Sequence, residues 1–132
     1  MTDSLIFKFT NPDQVMSFEW INDNDFLYSG LQRNYNIYRS NLQEKPFATF
    51  ISSEWNDLYP SVSPNREKMA FISDRSGYWQ VWIYDISDKS YRQITGYEKG
   101  GTLNLNSQHI EWINNSTICF IMNGNKIVKV TL

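Results

Sequence analysis

The sequence predicts an all-β protein, and three observations lead to this prediction. Short segments rich in β-branched and aromatic residues recur along the chain, for example at 68–73, 80–84 and 117–122. Clusters of Asn, Asp, Gly, Pro and Ser separate these segments, as is typical of turns between strands. The chain also shows hardly any helical periodicity and contains internal repeats. We therefore expect a fold made almost entirely of short strands and tight turns.

The repeats emerge when the first strand of each unit is aligned. Residues 18–23 match residues 110–115, with Trp20 and Trp112 in the same place. The separation of the two tryptophans leaves room for a middle copy, which lies at 60–65. The later strands of the three units then align in register. The second strands are predicted at 26–28, 69–71 and 118–120, the third strands at 36–39, 80–83 and 126–129, and the fourth strands at 46–51 and 91–95.

Repeated units of four short strands are typical of the blades of a β-propeller. We predict one domain over residues 1–132 with a first blade at 14–51, a second at 58–95 and a third, without its fourth strand, at 107–132. Residues 5–10 have the character of a fourth strand with no blade before it. The chain is therefore expected to begin and end within a blade.

Ring closure decides the expected assembly. A propeller needs about 4–8 blades, so three blades cannot close a ring alone. We expect a six-bladed homodimer in which residues 5–10 of one copy supply the fourth strand of the other copy's last blade. The alternatives are a fragment of a longer propeller and a compact β-sandwich. The residues expected to close the dimer are Leu5, Ile6, Phe7 and Phe9 in the N-terminal strand and Ile127, Val128 and Val130 in the last strand.

The middle repeat carries a more specific motif, made of residues 59–65, 69–77, 81–85 and 92–95. Together these segments resemble the repeat of TolB-like β-propellers, the WD40-like Pro-Asp repeat, most strongly over residues 59–95. The outer repeats keep the hydrophobic strand positions but lack the serine-proline and aspartate-arginine elements.

The resemblance implies a binding or docking platform, because such families use the propeller mostly in that way, sometimes attached to a peptidase domain. Residues 65–67 depart from the family pattern, which has a Pro-Asp-Gly-like turn after the first strand. TolB itself is periplasmic. Neither a secretion signal nor a peptidase domain is visible in this sequence, so we do not transfer those features.

Composition excludes several classes of partner. The formal charge is −2 and the twelve Lys and Arg residues are scattered, so no basic field for nucleic acid is expected. No window approaches the roughly 18 apolar residues of a membrane span, and residues 1–20 lack the pattern of a signal peptide. Cys119 is the only cysteine and has apolar neighbours, which predicts an inert core residue. We expect a cytoplasmic protein without a membrane partner.

The sequence contains no constellation that identifies a reaction. His109 is the only histidine, and we expect it to line the central channel in a polar or structural role. No serine lies in a nucleophile elbow, and Asp74 and Arg75 are expected to hold their own turn by local hydrogen bonds. We therefore predict no catalytic residue, no metal site and no cofactor.

A docking surface is predicted where the loops between blades meet the loops between second and third strands. Its longest segment, residues 96–107, exceeds the usual length of a connection. Exposed aromatic and arginine side chains there would suit a partner, although Trp55, Tyr78 and Trp79 alternatively pack between blades. The predicted binding residues are Trp55, Asn56, Tyr97, Glu98, Lys99, Leu103, Arg75, Tyr78, Trp79 and His109.

Two functions remain open from the sequence. The first is a non-enzymatic module that docks a protein or peptide on this surface. The second is a small-molecule or carbohydrate-active enzyme with a site at the channel mouth, where a sugar would stack on an aromatic ring. A pocket with convergent carboxylates such as Glu98 and Asp57 would favour the enzyme, and a flat aromatic surface would favour docking.

Overall fold

The computed structural model describes residues 4–5, 8, 14–31, 33–42 and 48–132, and these residues form three antiparallel sheets. The prediction of an all-β fold is confirmed, and a single 3-10 turn is the one helical element in the described ranges. The first sheet contains β1 (Gln14–Trp20), β2 (Asp25–Leu31), β3 (Tyr35–Asn41) and β4 (Ala48–Ile51). The second contains β5 (Asp57–Val62), β6 (Lys68–Ser73), β7 (Gln80–Asp85) and β8 (Tyr91–Gln93). The third contains β9 (Ile110–Asn114), β10 (Thr117–Met122) and β11 (Lys126–Thr131).

The polar clusters form the turns that the sequence predicts. Between β1 and β2, the Asn22 side-chain oxygen accepts hydrogen bonds from the backbone N–H groups of Asn24 and Asp25, both at 2.8 Å. Between β10 and β11, Asn123 and Gly124 adopt φ values of 55° and 72°. Asn and Gly tolerate this left-handed region at low cost, so neighbouring strands can reverse within a few residues.

The sheets stack face to face, and two of the three buried clusters of the described residues lie between them. The third, made of Phe26, Tyr28 and Tyr38, lies on the face of the first sheet that points away from the second sheet. The alternation of β6 places Met69 and Phe71 towards the first sheet and Ala70 and Ile72 towards the third. The core between the first and second sheets consists of Leu27, Ile37, Ile51, Met69, Phe71 and Tyr84. The core between the second and third sheets consists of Ala70, Ile72, Val81, Ile83, Leu103, Ile110, Trp112, Ile118 and Phe120.

The first strands of the three sheets lie side by side. Strand β5 contacts both β1 of the first sheet and β9 of the third. The Trp112 indole N–H on β9 donates a hydrogen bond of 2.8 Å to the Ser61 carbonyl on β5. Sheets whose first strands contact one another are also found in β-propellers, where the blades surround a central channel.

Both ends of the stack expose apolar side chains. On the outer face of the first sheet, Phe18 and Trp20 are 60% and 41% exposed, and their rings meet edge to face at 6.4 Å. On the outer face of the third sheet, Ile113 and Ile127 are 57% and 81% exposed. Within the described residues β11 pairs with β10 alone, so β11 is an edge strand.

The predicted N-terminal closing strand is described in part. Ile6, Phe7 and Phe9 lie outside the described residues, whereas Leu5 is described and exposed. Val128 and Val130 pack against the core between the second and third sheets. Across the ranges given above, no helix has the length and apolar character needed to span a bilayer.

Candidate functional site

The predicted docking surface lies at one end of the stacked sheets. We call it the loop face and define it by residues 33–34, 52–56, 74–79 and 94–109. Its first linker, residues 52–56, is held by hydrogen bonds from Asn34 in the β2–β3 loop and from Tyr35 at the start of β3. The Asn34 amide donates hydrogen bonds to the carbonyls of Ser53, at 2.8 Å, and Trp55. The Tyr35 backbone N–H donates to the Asn56 side-chain oxygen at 3.0 Å.

Asn56 also joins this linker to the β6–β7 loop. Its backbone N–H and its side-chain amide donate to the two Asp74 carboxylate oxygens, both at 2.9 Å. The Gly77 N–H donates to the Asp74 carbonyl, which closes the turn itself. The expectation that the Asp74 side chain serves its own turn is therefore wrong, because its carboxylate binds the preceding linker.

Arg75 is likewise committed to a distant partner rather than to its own turn alone. One guanidinium nitrogen donates to the Asp57 carboxylate at 2.8 Å, and another donates to the Ser73 hydroxyl at 3.0 Å. The second Asp57 oxygen accepts a hydrogen bond of 2.7 Å from the Ser53 hydroxyl. Asp57 is fully buried and the Arg75 side chain is only 11% exposed, so this is a buried, hydrogen-bonded ion pair.

Aromatic rings surround the Arg75 guanidinium. Its central carbon lies 4.6 Å from the centre of the Tyr91 ring, 5.2 Å from those of Phe71 and Trp82, and 5.9 Å from that of Trp55. Distances below about 6 Å are typical of cation–π contacts. Arg75 is thus a structural centre of the loop face and has little surface left for a partner.

Two aromatic side chains of the loop face remain open to solvent. Trp55 is 46% exposed and Tyr78 is 49% exposed, whereas Trp79 packs against the core between the second and third sheets. The alternative interpretation, packing between blades, therefore holds for Trp79. The loop face offers two exposed rings on loops that hydrogen bonds hold in place.

The second linker, residues 94–109, is anchored by Gln80. The Gln80 side-chain oxygen accepts hydrogen bonds from the Thr95 hydroxyl, at 2.6 Å, and the Tyr97 N–H, at 3.0 Å. Its amide donates to the Tyr97 carbonyl at 2.7 Å. Leu103 is 1% exposed and belongs to the core, so its predicted place on the docking surface is wrong. Glu98 and Lys99 are exposed.

Sequence reasoning missed the anchoring role of Gln80. The aligned residue of the first sheet, Asn36, accepts a hydrogen bond of 3.3 Å from the Ser53 N–H. Both side chains are almost fully buried and both bind the linker that follows their sheet. An amide at the same strand position in two repeats is the sequence signal that indicates this contact.

His109, the last residue of the loop face, lines a pocket together with residues of β1 and β5, among them Glu19 and Tyr59. Its Nε2 is 2.7 Å from a Glu111 carboxylate oxygen, and both side chains are more than half exposed. Partial burial, reinforced by the Glu111 charge, raises the pKa of the nearby Glu19, and the charge of His109 opposes this shift. Within the described part of the chain, no group of three His, Cys, Asp or Glu side chains has the arrangement of a metal site.

Solved structures share this fold. A TolB-type protein of Agrobacterium tumefaciens matches with a TM-score of 0.54 at 17% identity, over 80% of this chain and 44% of that one. The acylaminoacyl peptidase of Pyrococcus horikoshii matches with a TM-score of 0.50 at 15% identity, over 80% of this chain and 16% of that one. TolB from Acinetobacter baumannii matches with a TM-score of 0.48 at 18% identity, over 82% and 30% respectively.

The comparisons establish the fold. The chain spans less than half of the length of each of these structures. No protein-family model matches the chain, and no curated protein matches it in sequence. The chain thus has a TolB-like fold of the propeller type, with three antiparallel sheets.

Proposed function

We propose that this protein is a non-enzymatic docking module that binds a protein or peptide on its loop face. The observation that carries this proposal is the pair of exposed rings, Trp55 and Tyr78, on loops fixed by hydrogen bonds. Exposed aromatic residues dominate the energetics of many interfaces. A surface whose loops are already ordered loses less conformational entropy when a partner binds.

The enzyme alternative has less support from the same geometry. Asp57 is fully buried, and both of its oxygens are engaged by Arg75 and Ser53. Glu98 is exposed to solvent on the second linker. An acid–base pair must have both carboxylates accessible to the substrate. Asp57 does not meet this requirement, because it is buried in an ion pair.

The docking proposal predicts which side chain a selected peptide will need. We expect a random peptide library displayed on phage to yield peptides whose affinity falls by about 30-fold or more in Trp55→Ala, as for an interface hot spot. Arg92→Ala is the matched control, because Arg92 is exposed on β8 and is not part of the loop face. Selected peptides that bind Trp55→Ala as tightly as the parent protein would contradict docking on the loop face.

We also infer that two copies of the chain complete a six-bladed ring. The repeats support this inference, because Trp20 and Trp112 occupy the same position in the first and third sheets. Trp112 is buried against the second sheet, and its indole donates to the Ser61 carbonyl. Trp20 is 41% exposed on the outer face of the first sheet. A sheet of another copy would cover Trp20 as the second sheet covers Trp112.

The third sheet, at the other end of the stack, also has an outer face on which apolar side chains are exposed. The first sheet buries one of its faces against the second sheet, and the second buries the equivalent face against the third. In the third sheet, this equivalent face is the outer face. That outer face exposes Ile113 and Ile127, and β11 leaves one strand edge open in the described structure. Apolar faces and open strand edges favour association. We infer that the first sheet of one copy packs on the third sheet of the other, with residues 5–10 pairing along β11.

The proposed six-bladed ring predicts that the protein has the mass of a dimer in solution. Light scattering after size exclusion is expected to give a dimer for the parent chain and for Trp55→Glu, and to show loss of the dimer for Trp20→Glu. The two tryptophans are exposed to nearly the same extent, 46% and 41%, so the comparison controls for the chemistry of the substitution. Deletion of residues 1–10 is expected to have the same effect as Trp20→Glu. A monomeric parent chain, or a dimer that survives Trp20→Glu, would contradict the ring.

A further inference from the structure

A cavity lies between the first and second sheets, at the opposite end from the loop face. It is partly open to solvent and has a volume of about 210 Å³. Its apolar wall is formed by Leu27, Phe50, Val62 and Ile86, of which Leu27 is fully buried. The arginines Arg39 and Arg66 also line it. The cavity therefore combines apolar side chains with two arginines, both of which are exposed to solvent.

The apolar part has room for a small hydrophobic group. An apolar cavity of about 150 Å³ lined by Leu, Ile and Phe takes up benzene. The cavity here has a somewhat larger volume and is partly open to solvent, and its apolar side chains are of the same kinds, with Asn22 and the two arginines beside them. A phenyl ring or a branched aliphatic group fits this space, whereas a drug-sized molecule of the kind that fills about 300–1,000 Å³ does not.

Arg39 is half exposed and keeps donors available. One of its nitrogens donates to the Asp25 carboxylate at 3.1 Å. Asp25 also accepts a hydrogen bond of 3.0 Å from the Asn22 amide and another from the Asn41 amide. The Asp25 carboxylate is thus held by groups besides Arg39. A guanidinium has five N–H donors, so Arg39 can bind a second anion without leaving Asp25.

Arg66 is the more available of the two cations. Its backbone N–H donates to the Ser63 carbonyl at 2.8 Å, which closes the β5–β6 turn. Among the described residues, no hydrogen bond or ion pair of its guanidinium is seen. Its φ of 62° is a conformation that favours glycine, so this turn holds an arginine where glycine would be less strained.

We propose that this cavity binds a carboxylate carried by a small apolar group. The apolar group lies against Phe50, Val62 and Ile86, and the carboxylate lies between Arg39 and Arg66. Arginine suits this role because its planar fork matches a carboxylate with two parallel hydrogen bonds. All of these residues belong to one chain, so the site depends neither on the six-bladed ring nor on a partner at the loop face.

The same chemistry has two sources, a free small acid and the C-terminus of a peptide with an apolar last residue. Phenylacetate is the probe for the first, and a short peptide ending in Phe is the probe for the second. Phenylacetamide and the same peptide with an amidated C-terminus are the uncharged controls. Tighter binding by the peptide acid would assign the site to a chain terminus, and tighter binding by phenylacetate would assign it to a free acid.

Titration of the full chain by calorimetry and by NMR chemical shifts tests the site. We expect saturable binding of phenylacetate with a dissociation constant of about 1 mM or lower. Arg66→Asn should weaken it by about tenfold or more, because a hydrogen bond to a charged group is lost. Asparagine tolerates positive φ, so this variant should fold normally, as a thermal melt will check.

Arg92→Gln removes an exposed arginine on β8 and should bind phenylacetate like the parent protein. Equal binding of phenylacetate and phenylacetamide would overturn the proposal, as would unchanged affinity in Arg66→Asn. Absence of saturation by either acid up to about 10 mM would overturn it as well.

Discussion

Replacing Arg75 with methionine is expected to lower the free energy of unfolding by about 3–5 kcal/mol. Asp57 is fully buried, and Arg75 is its only ionic partner within the described structure. Methionine preserves much of the apolar stem but leaves the Asp57 carboxylate buried with the Ser53 hydroxyl as its remaining side-chain donor. An uncompensated buried charge is among the most costly defects of a folded protein.

Urea denaturation of single and double variants measures this effect. Asp57→Ala combined with Arg75→Met should lose less stability than the sum of the two single losses, by about 0.5–3 kcal/mol, because the double variant contains no unpaired charge. Arg92→Met, an exposed substitution on β8, should change stability by no more than about 0.5 kcal/mol. Additive single losses would show that Asp57 and Arg75 act independently, contrary to the structure.

Replacing Trp112 with alanine is expected to cost about 3–5 kcal/mol of unfolding free energy. The ring is 8% exposed, packs in the core between the second and third sheets, and donates to the Ser61 carbonyl. Alanine would open a cavity and leave that carbonyl without its partner. Trp112→Phe retains a ring but not the N–H donor. Besides the effect of the smaller ring, this variant should therefore lose about 0.5–1.5 kcal/mol of unfolding free energy, the net value of one hydrogen bond.

Trp20→Ala is the matched control for Trp112→Ala, because the two residues are equivalent in the repeat. In an isolated chain the cost of Trp20→Ala should be much the smaller, since Trp20 is 41% exposed. If the ring forms, that cost should grow with protein concentration, because association then buries Trp20. A small loss for Trp112→Ala would contradict the packing of the third sheet on the second.

The strands were predictable from the sequence because their signal is local. Short runs of apolar residues, bounded by turn residues, mark Lys68–Ser73 and Thr117–Met122 whatever surrounds them, and Asn123 and Gly124 mark a turn through their own backbone preferences. The stacking of the sheets follows from the same apolar runs, because a strand that is apolar on both faces needs a neighbouring layer on each side.

The loop contacts were not predictable in the same way, because they join residues distant in sequence. Leu103 stands among glycine, threonine and asparagine, and only the approach of the second and third sheets buries it. Asp74 and Arg75 carry ordinary turn chemistry, yet their side chains bind Asn56 and Asp57 on the preceding linker and strand. A local pattern gives the capacity for a hydrogen bond, and the tertiary structure decides which partner receives it.

The amide contact of Gln80 has a consequence for protein engineering. It fixes the second linker at Tyr97, and the Asn123 N–H fixes the same linker again at the Thr102 carbonyl. Between these two anchors, Gly100 and Gly101 are exposed, with open space around both. Exposed loop tips commonly tolerate insertions. A peptide inserted between these glycines would extend from a segment that is held by hydrogen bonds on both sides. The fold thus offers a display position whose geometry is set by the scaffold rather than by the inserted peptide.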